Sequence, residues 1–387
     1  IIAQDFGAGR IQRIRDHLPQ TLWVSVFLSL IVAPLCYYSH LGLPWLGIDE
    51  LTAEKSSEYI KMVAFGFPAI GIFMALRYHM QGVGITSPFA VASVIGFIAN
   101  IPLNYIFIFG FGDIPAMGAQ GCGIATAISM WLSALIITLY VLTKKSLQQF
   151  MPPLRPVAPD PVTIKEILTI GAPVGATFFL ETAVFAGIAL LVSSLGDVAI
   201  GAHQIAFNVW DMFYIPMLAI GSSMATRMGH ALGAQDQQGV FMALKAGILC
   251  SGVISVTTMI ILLSFPTAIV GIYSDSQDIS LLAVRLLSFA ALFVIIDAVQ
   301  IVGSFSMRAY KKTRFPFIAS MVAYWLIALP LGYYLGIMNA DNAFDGAAGF
   351  WVGIIVGVAV ASVMIAVRLV LLLRQPIPTG FTPDYDV

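Results

Sequence analysis

The sequence has little charge and few cysteines. Only 10% of its 387 residues are Asp, Glu, Lys or Arg, whereas an ordinary soluble domain is about 25% charged. The net charge of −1 provides no polybasic surface, so no nucleic-acid partner is expected. Cys36, Cys122 and Cys250 lie far apart with no C-x-x-C pair, which argues against a metal site or a disulfide framework and favours packing roles. Walker A and H-E-x-x-H patterns are absent as well, so neither ATP-driven chemistry nor zinc proteolysis is predicted.

Long hydrophobic runs dominate what is present. A helix needs about 20 mostly apolar residues to cross a bilayer, and ten segments meet or nearly meet that length. The alternating ten-residue strands of a transmembrane barrel are missing. The sequence therefore predicts an all-α polytopic membrane protein whose main partner is the lipid bilayer. The ten predicted spans are 19–38, 59–79, 88–110, 117–143, 166–194, 200–226, 241–265, 280–307, 316–338 and 347–373.

The charges in the loops predict an orientation. Sixteen of the 19 basic residues fall at one face of the ten-helix arrangement, and ten of the 20 acids fall at the other. By the positive-inside rule the basic face is cytoplasmic, which places both ends of the chain in the cytoplasm. The sixteen are Arg10, Arg13, Arg15, Arg77, Lys144, Lys145, Arg155, Lys165, Arg227, Lys245, Arg308, Lys311, Lys312, Arg314, Arg368 and Arg374.

A weak internal repeat predicts two lobes. Pro88-Phe89 and Pro102-Leu103 recur as Pro316-Phe317 and Pro330-Leu331, an offset of 228 residues. This offset spans six helices, an even number, so the two copies have the same orientation. Such repeats are related by an axis along the membrane normal, with a central site between them.

The second copy contains six predicted helices and the first contains four. We therefore expect a first helix pair of the N-terminal lobe that is not in this sequence. The predicted organisation is an N-terminal lobe at 1–143, a proline-rich and basic cytoplasmic linker at 144–163, a C-terminal lobe at 164–374 and a cytoplasmic tail at 375–387.

Three acids lie within predicted membrane helices: Glu181, Asp211 and Asp297. An ionised carboxylate at the bilayer centre costs about 2.5–3.5 kcal/mol on insertion scales. A lipid-facing position offers nothing to offset that cost, so we expect these acids to face the bundle interior or a wet cavity. The structural alternative is an ion pair with a base such as Arg285, the one basic residue predicted inside the membrane.

Polar and aromatic residues recur at helical spacing around the three acids. Oxygen atoms suit a hard cation, and a carboxylate beside an aromatic ring suits an organic cation. We therefore predict a coupling-cation site at Glu181 and Asp297, which would bind sodium if sodium is the coupling ion. The residues of the possible substrate cavity are Asp211, Phe185, Phe293, Gln300, Gln204, Asn208 and Tyr214.

The first lobe has a polar pair instead of an acid. Asn100 and Asn104 lie four residues apart, on one face of a helix, with Pro102 between them. Because proline has no N–H, the carbonyl four residues earlier is left without its helical donor, as in discontinuous helices that bind ions. Hydrogen bonding to a neighbouring helix is the structural alternative.

Several stretches occur in the order and spacing of one known family: AQDFGAGR at 3–10, IGAPVGATFFLE at 170–181, IGAHQIAFNVW at 200–210, GHALGAQ at 229–235 and DAVQ at 297–300. On these residues the chain resembles the multidrug and toxic compound extrusion (MATE) family, in its bacterial NorM-type branch. The resemblance implies twelve helices in two lobes and export of organic cations in exchange for sodium ions or protons. It implies cation binding by Glu181 and Asp297, and a second site involving Asn100 and Asn104, whose central aspartate belongs to the helix that this sequence lacks. It also implies a bacterial inner-membrane protein with a role in antibiotic resistance, no cofactor, no enzymatic activity and no obligate protein partner.

Two other functions are compatible with parts of the sequence. A lipid-linked oligosaccharide flippase of related architecture needs a basic cavity, and only Arg285 is expected to contribute to one. An intramembrane aspartyl protease is suggested by the G-x-G-D pattern at 110–113. That pattern falls in a short external loop, and the acids of DYDV at 384–387 lie in the predicted tail.

Overall fold

The computed structural model describes residues 1–42, 50–152 and 157–377, and this part of the chain is almost entirely helical. Nine of its helices are long and apolar enough to cross a membrane. A tenth span is formed by two helices that meet at a bend of 51°. These ten correspond to the ten predicted spans, which confirms the polytopic α-helical class. Arg155, part of the linker and the DYDV acids lie outside the described residues.

The first compact unit comprises Ile1–Ile167. Its hydrophobic core forms where α2, α4, α5 and α6 contribute buried side chains such as Leu18, Phe73 and Ile137. The helices are α1 (Ile2–Gly7), α2 (Ile11–Tyr37), α3 (Glu50–Ala64), α4 (Phe67–Gly82), α5 (Ser87–Phe109) and α6 (Gly118–Thr143), followed by a 3₁₀ turn at Lys145–Phe150.

The bend between α3 and α4 has a local cause. Pro68 is at the start of α4 and has no N–H to donate to the carbonyl of Ala64, four residues earlier, where α3 ends. The predicted single span at 59–79 is therefore divided between two helices.

The second compact unit comprises Leu168–Val387. It is built around α11, which packs against α8, α9 and α14. The helices that begin after the first unit's 3₁₀ turn are α7 (Pro161–Ser193), α8 (Asp197–Gly233), α9 (Gln237–Ser264), α10 (Pro266–Val270), α11 (Gln277–Ala309), α12 (Arg314–Ser320), α13 (Leu329–Tyr333) and α14 (Ala343–Leu373).

The span from Arg314 to Met338 is continuous but irregular. Two π-helical segments, Met321–Ala328 and Tyr334–Met338, flank α13. Pro330 at the start of α13 cannot donate to the carbonyl of Leu326, so the preceding turns widen. The α14 backbone fits closely against this span, because a Cβ at Gly353 would lie 2.6 Å from the carbonyl oxygen of Ala328. Widened turns of this kind are frequent at functional sites.

The start of α7 belongs to the first unit. Asp160 caps this helix by accepting a hydrogen bond from the Thr163 N–H at 3.0 Å. The Thr163 hydroxyl also donates to this carboxylate. The hydroxyl and the N–H together lower the pKa of the Asp160 carboxyl below its usual value. Arg13 Nη2 of α2 lies 2.6 Å from Glu166 Oε2. The end of the predicted linker packs on the same helix, because the Asp160 N–H donates to Gln20 Oε1 of α2 at 2.8 Å.

Candidate functional site

A cavity of about 400 Å³ lies inside the second unit, enclosed by α7, α8, α11 and the π-helical segment. The two predicted coupling acids, Glu181 of α7 and Asp297 of α11, both line it. They come from positions 116 residues apart and share one chamber because α7 and α11 face each other across it. The structure thus places both acids at an internal cavity.

Glu181 is half-buried and held by weak hydrogen bonds. Its Oε1 atom accepts from Gln300 Nε2 at 3.4 Å and from Ser320 Oγ at 3.3 Å. These distances are at the long end of the hydrogen-bond range. The carboxylate is thus oriented by neutral donors and faces the chamber.

Asp297 is buried more completely, at 3% exposure. Its Oδ2 atom and the Oε1 atom of Gln300 are both buried without a hydrogen bond among the described residues. The indole of Trp210 is beside Asp297, but its N–H does not reach hydrogen-bond geometry. Asp297 and Gln300 are one turn apart on α11, so two oxygens that lack donors lie on the same helix face. Such oxygens suit a hard cation or a proton.

Aromatic rings form one wall of the cavity. The ring centre of Phe185 lies 5.2 Å from that of Trp210 and 5.3 Å from that of Phe207. Trp210 continues the wall to Tyr214, 4.9 Å away. A cation near the carboxylates therefore has aromatic faces within reach, which is the arrangement that binds organic cations.

The other predicted cavity residues divide into two groups. Asp211, Gln204 and Tyr214 line the chamber together with Phe185 and Gln300. Phe293 and Asn208 are not among the described lining residues. Phe293 is fully buried behind the wall, with its ring centre 5.3 Å from that of Trp210. Asn208 is exposed and stays outside the lining, although it lies one helical turn after Gln204 on α8.

Arg308 is a lining residue that the sequence analysis did not predict. The charge pattern of the sequence predicts Arg308 only as a basic residue of the cytoplasmic face. Its guanidinium lies 4.3 Å from the ring centre of Phe305 and 5.0 Å from that of Phe178. Arg285, the base expected to be available to a cavity, instead lies over the ring of Phe344 at 4.7 Å, away from the lining residues.

Ser320 and Tyr324 were also missed. Ser320 donates to Glu181, and the Tyr324 hydroxyl lies 3.5 Å from Gln300 Nε2. Ser320 is the last residue of α12, and Tyr324 lies in the π-helical segment Met321–Ala328 that follows it. Pro330, which the repeat aligns with Pro102, is the one sign in the sequence that this span is irregular.

The asparagine pair of the first unit lies between α5 and α6. Asn104 Nδ2 donates to Asn100 Oδ1 at 2.8 Å, and Asn100 Nδ2 donates to Ser129 Oγ of α6 at 3.1 Å. The bond to α6 matches the structural alternative. Asn104 Oδ1 is buried without a hydrogen-bond partner among the described residues, so one oxygen remains available to a cation.

The G-x-G-D pattern is in a surface turn. Phe111 and Ile114 pair across it, and Asp113 is exposed. Among the described residues, no hydrogen bond joins Asp113 to a second acid. The turn connects α5 to α6 and offers no aspartyl dyad.

The MatE family model matches residues 1–106 and 173–334. The multidrug resistance protein NorM of Photobacterium profundum is 34% identical over 369 residues, covering 95% of this chain and 81% of that protein. The multidrug resistance protein MdtK of Edwardsiella ictaluri is 36% identical over 377 residues, covering 97% of this chain and 82% of that protein.

A solved structure of similar fold is the eukaryotic MATE transporter AtDTX14. It superposes with a TM-score of 0.86 at 20% identity, covering 96% of this chain and 81% of that one. This likeness concerns the fold, whereas the sequence matches establish the relationship. The chain therefore belongs to the MatE family, the multidrug and toxic compound extrusion (MATE) transporters.

Proposed function

We propose that this protein exports lipophilic organic cations from the bacterial cytoplasm in exchange for inward-moving sodium ions or protons. The observation that supports this most strongly is the chamber where Glu181, Asp297 and an aromatic wall meet. Its size of about 400 Å³ is in the range of small-molecule sites. The NorM and MdtK relatives are named multidrug resistance proteins, which also supports an export function.

In the proposed exchange, the organic cation and the coupling ion use the same carboxylates. With the cavity open to the cytoplasm, ionised Glu181 and Asp297 attract a lipophilic cation whose rings stack on Phe185 and Trp210. With the cavity open to the outside, a sodium ion or a proton takes the carboxylates. The organic cation then loses its counter-charge and leaves.

Such competition is sufficient for coupling. A ligand shifts a two-state equilibrium only through a difference in its affinity for the two states, and the coupling is reciprocal. Asp297 Oδ2 and Gln300 Oε1, which lack donors, are the oxygens we assign to the coupling ion, together with Glu181. We propose a secondary role of the same kind for Asn104 Oδ1, supported by its lack of a donor.

The proposed location is the bacterial inner membrane, with both ends of the chain in the cytoplasm. The distribution of basic residues supports this orientation. Export of organic cations from the cytoplasm would contribute to antibiotic resistance. We propose no cofactor and no obligate protein partner.

The test is efflux of ethidium, a lipophilic cation, from bacterial cells that lack their own efflux pumps. Cells expressing the wild-type protein should lose preloaded ethidium faster than cells expressing the double variant Glu181→Gln, Asp297→Asn. Collapse of both ion gradients should abolish the difference. Equal efflux from the two strains would remove the assignment of the carboxylates, and wild-type efflux at the level of cells without the protein would refute export.

A further inference from the structure

Arg308 is a cation inside a cavity that we have assigned to cations. It is next to the last residue of α11 and lines the chamber with Glu181 and Asp297. Its guanidinium carbon lies 4.3 Å from the ring centre of Phe305 on its own helix and 5.0 Å from that of Phe178 on α7. The charged group is thus placed between two aromatic faces.

Arg308 shares the cavity with the acidic residues of the site. It lines the chamber together with Glu181 of α7 and Tyr214 of α8. Phe178 precedes Glu181 by three residues, so the ring and the carboxylate lie one turn apart on one face of α7. Arg308 therefore already has the aromatic contact that a bound organic cation would need, in the same chamber as the carboxylate that would be its counter-charge.

We propose that Arg308 determines the charge specificity of this cavity as a resident cation that competes with the exported cation for Glu181 and the neighbouring rings. This inference rests on the proposed function and adds to it a selection rule. A ligand with a single, delocalised positive charge displaces the guanidinium with little repulsion. A compact dication meets a like charge in a medium of low dielectric constant and is disfavoured.

The position of Arg308 makes displacement feasible. Because it is at the end of α11, its flexible stem can carry the guanidinium away from the chamber toward the cytoplasmic boundary, as long basic side chains do near helix ends. The cavity then exchanges one cation for another, and Glu181 is never left without a positive neighbour.

The test measures equilibrium binding of tetraphenylphosphonium, a bulky monocation, to the purified protein. Arg308→Gln should lower the Kd about tenfold, the scale of one cation–π contact in a desolvated site. Triphenylphosphine oxide, which is neutral and of similar shape, should bind both proteins equally. Arg308→Lys keeps the charge and should stay within about threefold of the wild type, since both bases engage an aromatic face.

Arg285→Gln is the matched control. Arg285 is on the same helix, and its guanidinium also covers a ring, that of Phe344 at 4.7 Å, but it is outside the cavity. Its neutralisation should leave both affinities unchanged. Arg308→Met provides a second neutral variant in case the glutamine variant folds poorly.

Unchanged or weaker tetraphenylphosphonium binding in a stable neutral variant of Arg308 would overturn the proposal. So would a loss of folding in both neutral variants, because Arg308 would then be a structural residue. Absence of saturable tetraphenylphosphonium binding to the wild-type protein is a different result, and it would contradict the proposed function itself.

Discussion

The side-chain amide of Gln300 joins three elements of the second unit. Its Nε2 atom lies 3.4 Å from Glu181 Oε1 on α7 and 3.5 Å from the Tyr324 hydroxyl on the π-helical segment. Gln300 itself is on α11, one turn from Asp297. A single neutral side chain thus positions one carboxylate and is adjacent to the other.

Removal of this amide should affect the ion-coupled step. In Gln300→Ala, Glu181 loses a donor and the coupling ion loses an oxygen ligand. We expect the half-saturating concentration of the coupling ion in efflux to rise about tenfold, the value of one hydrogen bond to a charged group. Ser362→Ala is the control, since Ser362 Oγ donates to the carbonyl of Ile296 on α11 at 3.1 Å and is not among the described lining residues. An ion dependence that is equal in the two variants would refute the role of Gln300.

The aromatic wall should control affinity for the exported cation. Phe185→Leu keeps the apolar volume but removes the ring that stacks 5.2 Å from Trp210. We expect the Kd for tetraphenylphosphonium to rise about three- to tenfold, as expected for the loss of a cation–π contact. Phe289→Leu is the comparison, because Phe289 packs against the core and is not among the described lining residues. Equal losses in both variants would mean that the rings act only through packing.

A variant of the asparagine pair can separate cation binding from a purely structural role between α5 and α6. Asn104→Ala removes the oxygen that has no donor and leaves the bond from Asn100 to Ser129 in place. If the first unit binds a coupling cation there, the half-saturating ion concentration should rise at least about threefold while thermal stability changes by less than about 1 kcal/mol. Ser133→Ala is the control, since the Ser133 hydroxyl donates to the Ser129 carbonyl of its own helix, at 2.9 Å. A change in stability alone would support the interhelical role.

A buried ion pair should stabilise the start of α7. Arg13→Ala would leave Glu166, whose side chain is 8% exposed, without its closest cation at 2.6 Å. Loss of one partner of a buried pair costs about 3–5 kcal/mol, and the partial exposure of Arg13 reduces the expected loss to about 1–2 kcal/mol. A fall of the melting temperature by a few degrees would show this effect. The double variant Arg13→Ala, Glu166→Gln should recover part of the loss, and a double variant less stable than Arg13→Ala would contradict the pairing.

The sequence predicts the spans and the buried acids well because both follow from the bilayer. A run of 20 apolar residues has the length that crosses a bilayer. A carboxylate inside that run has a high free-energy cost if it faces lipid. The same physics does not specify Ser320 and Tyr324. Ser320 ends α12 and Tyr324 lies in the π-helical segment Met321–Ala328, and their roles depend on contacts with α7 and α11 that the local sequence does not specify.

Arg308 illustrates a second limit. A base near a helix end normally points to water, and its count in the positive-inside rule gives no indication that it turns into a cavity. Asn208 failed for the opposite reason. Helical spacing groups it with Asp211, three residues later, but Asn208 is exposed and only Asp211 lines the cavity.

The central claim is that Glu181 and Asp297 are shared by the exported cation and the coupling ion. Its most direct test is efflux of a lipophilic cation by the purified protein in proteoliposomes under separately imposed sodium and proton gradients. Efflux should follow one of the gradients in the wild type and should fall by at least tenfold in Glu181→Gln and in Asp297→Asn, as expected for loss of a charged ligand. Full gradient-driven efflux in both neutral variants, or wild-type efflux that persists with both gradients collapsed, would contradict the account.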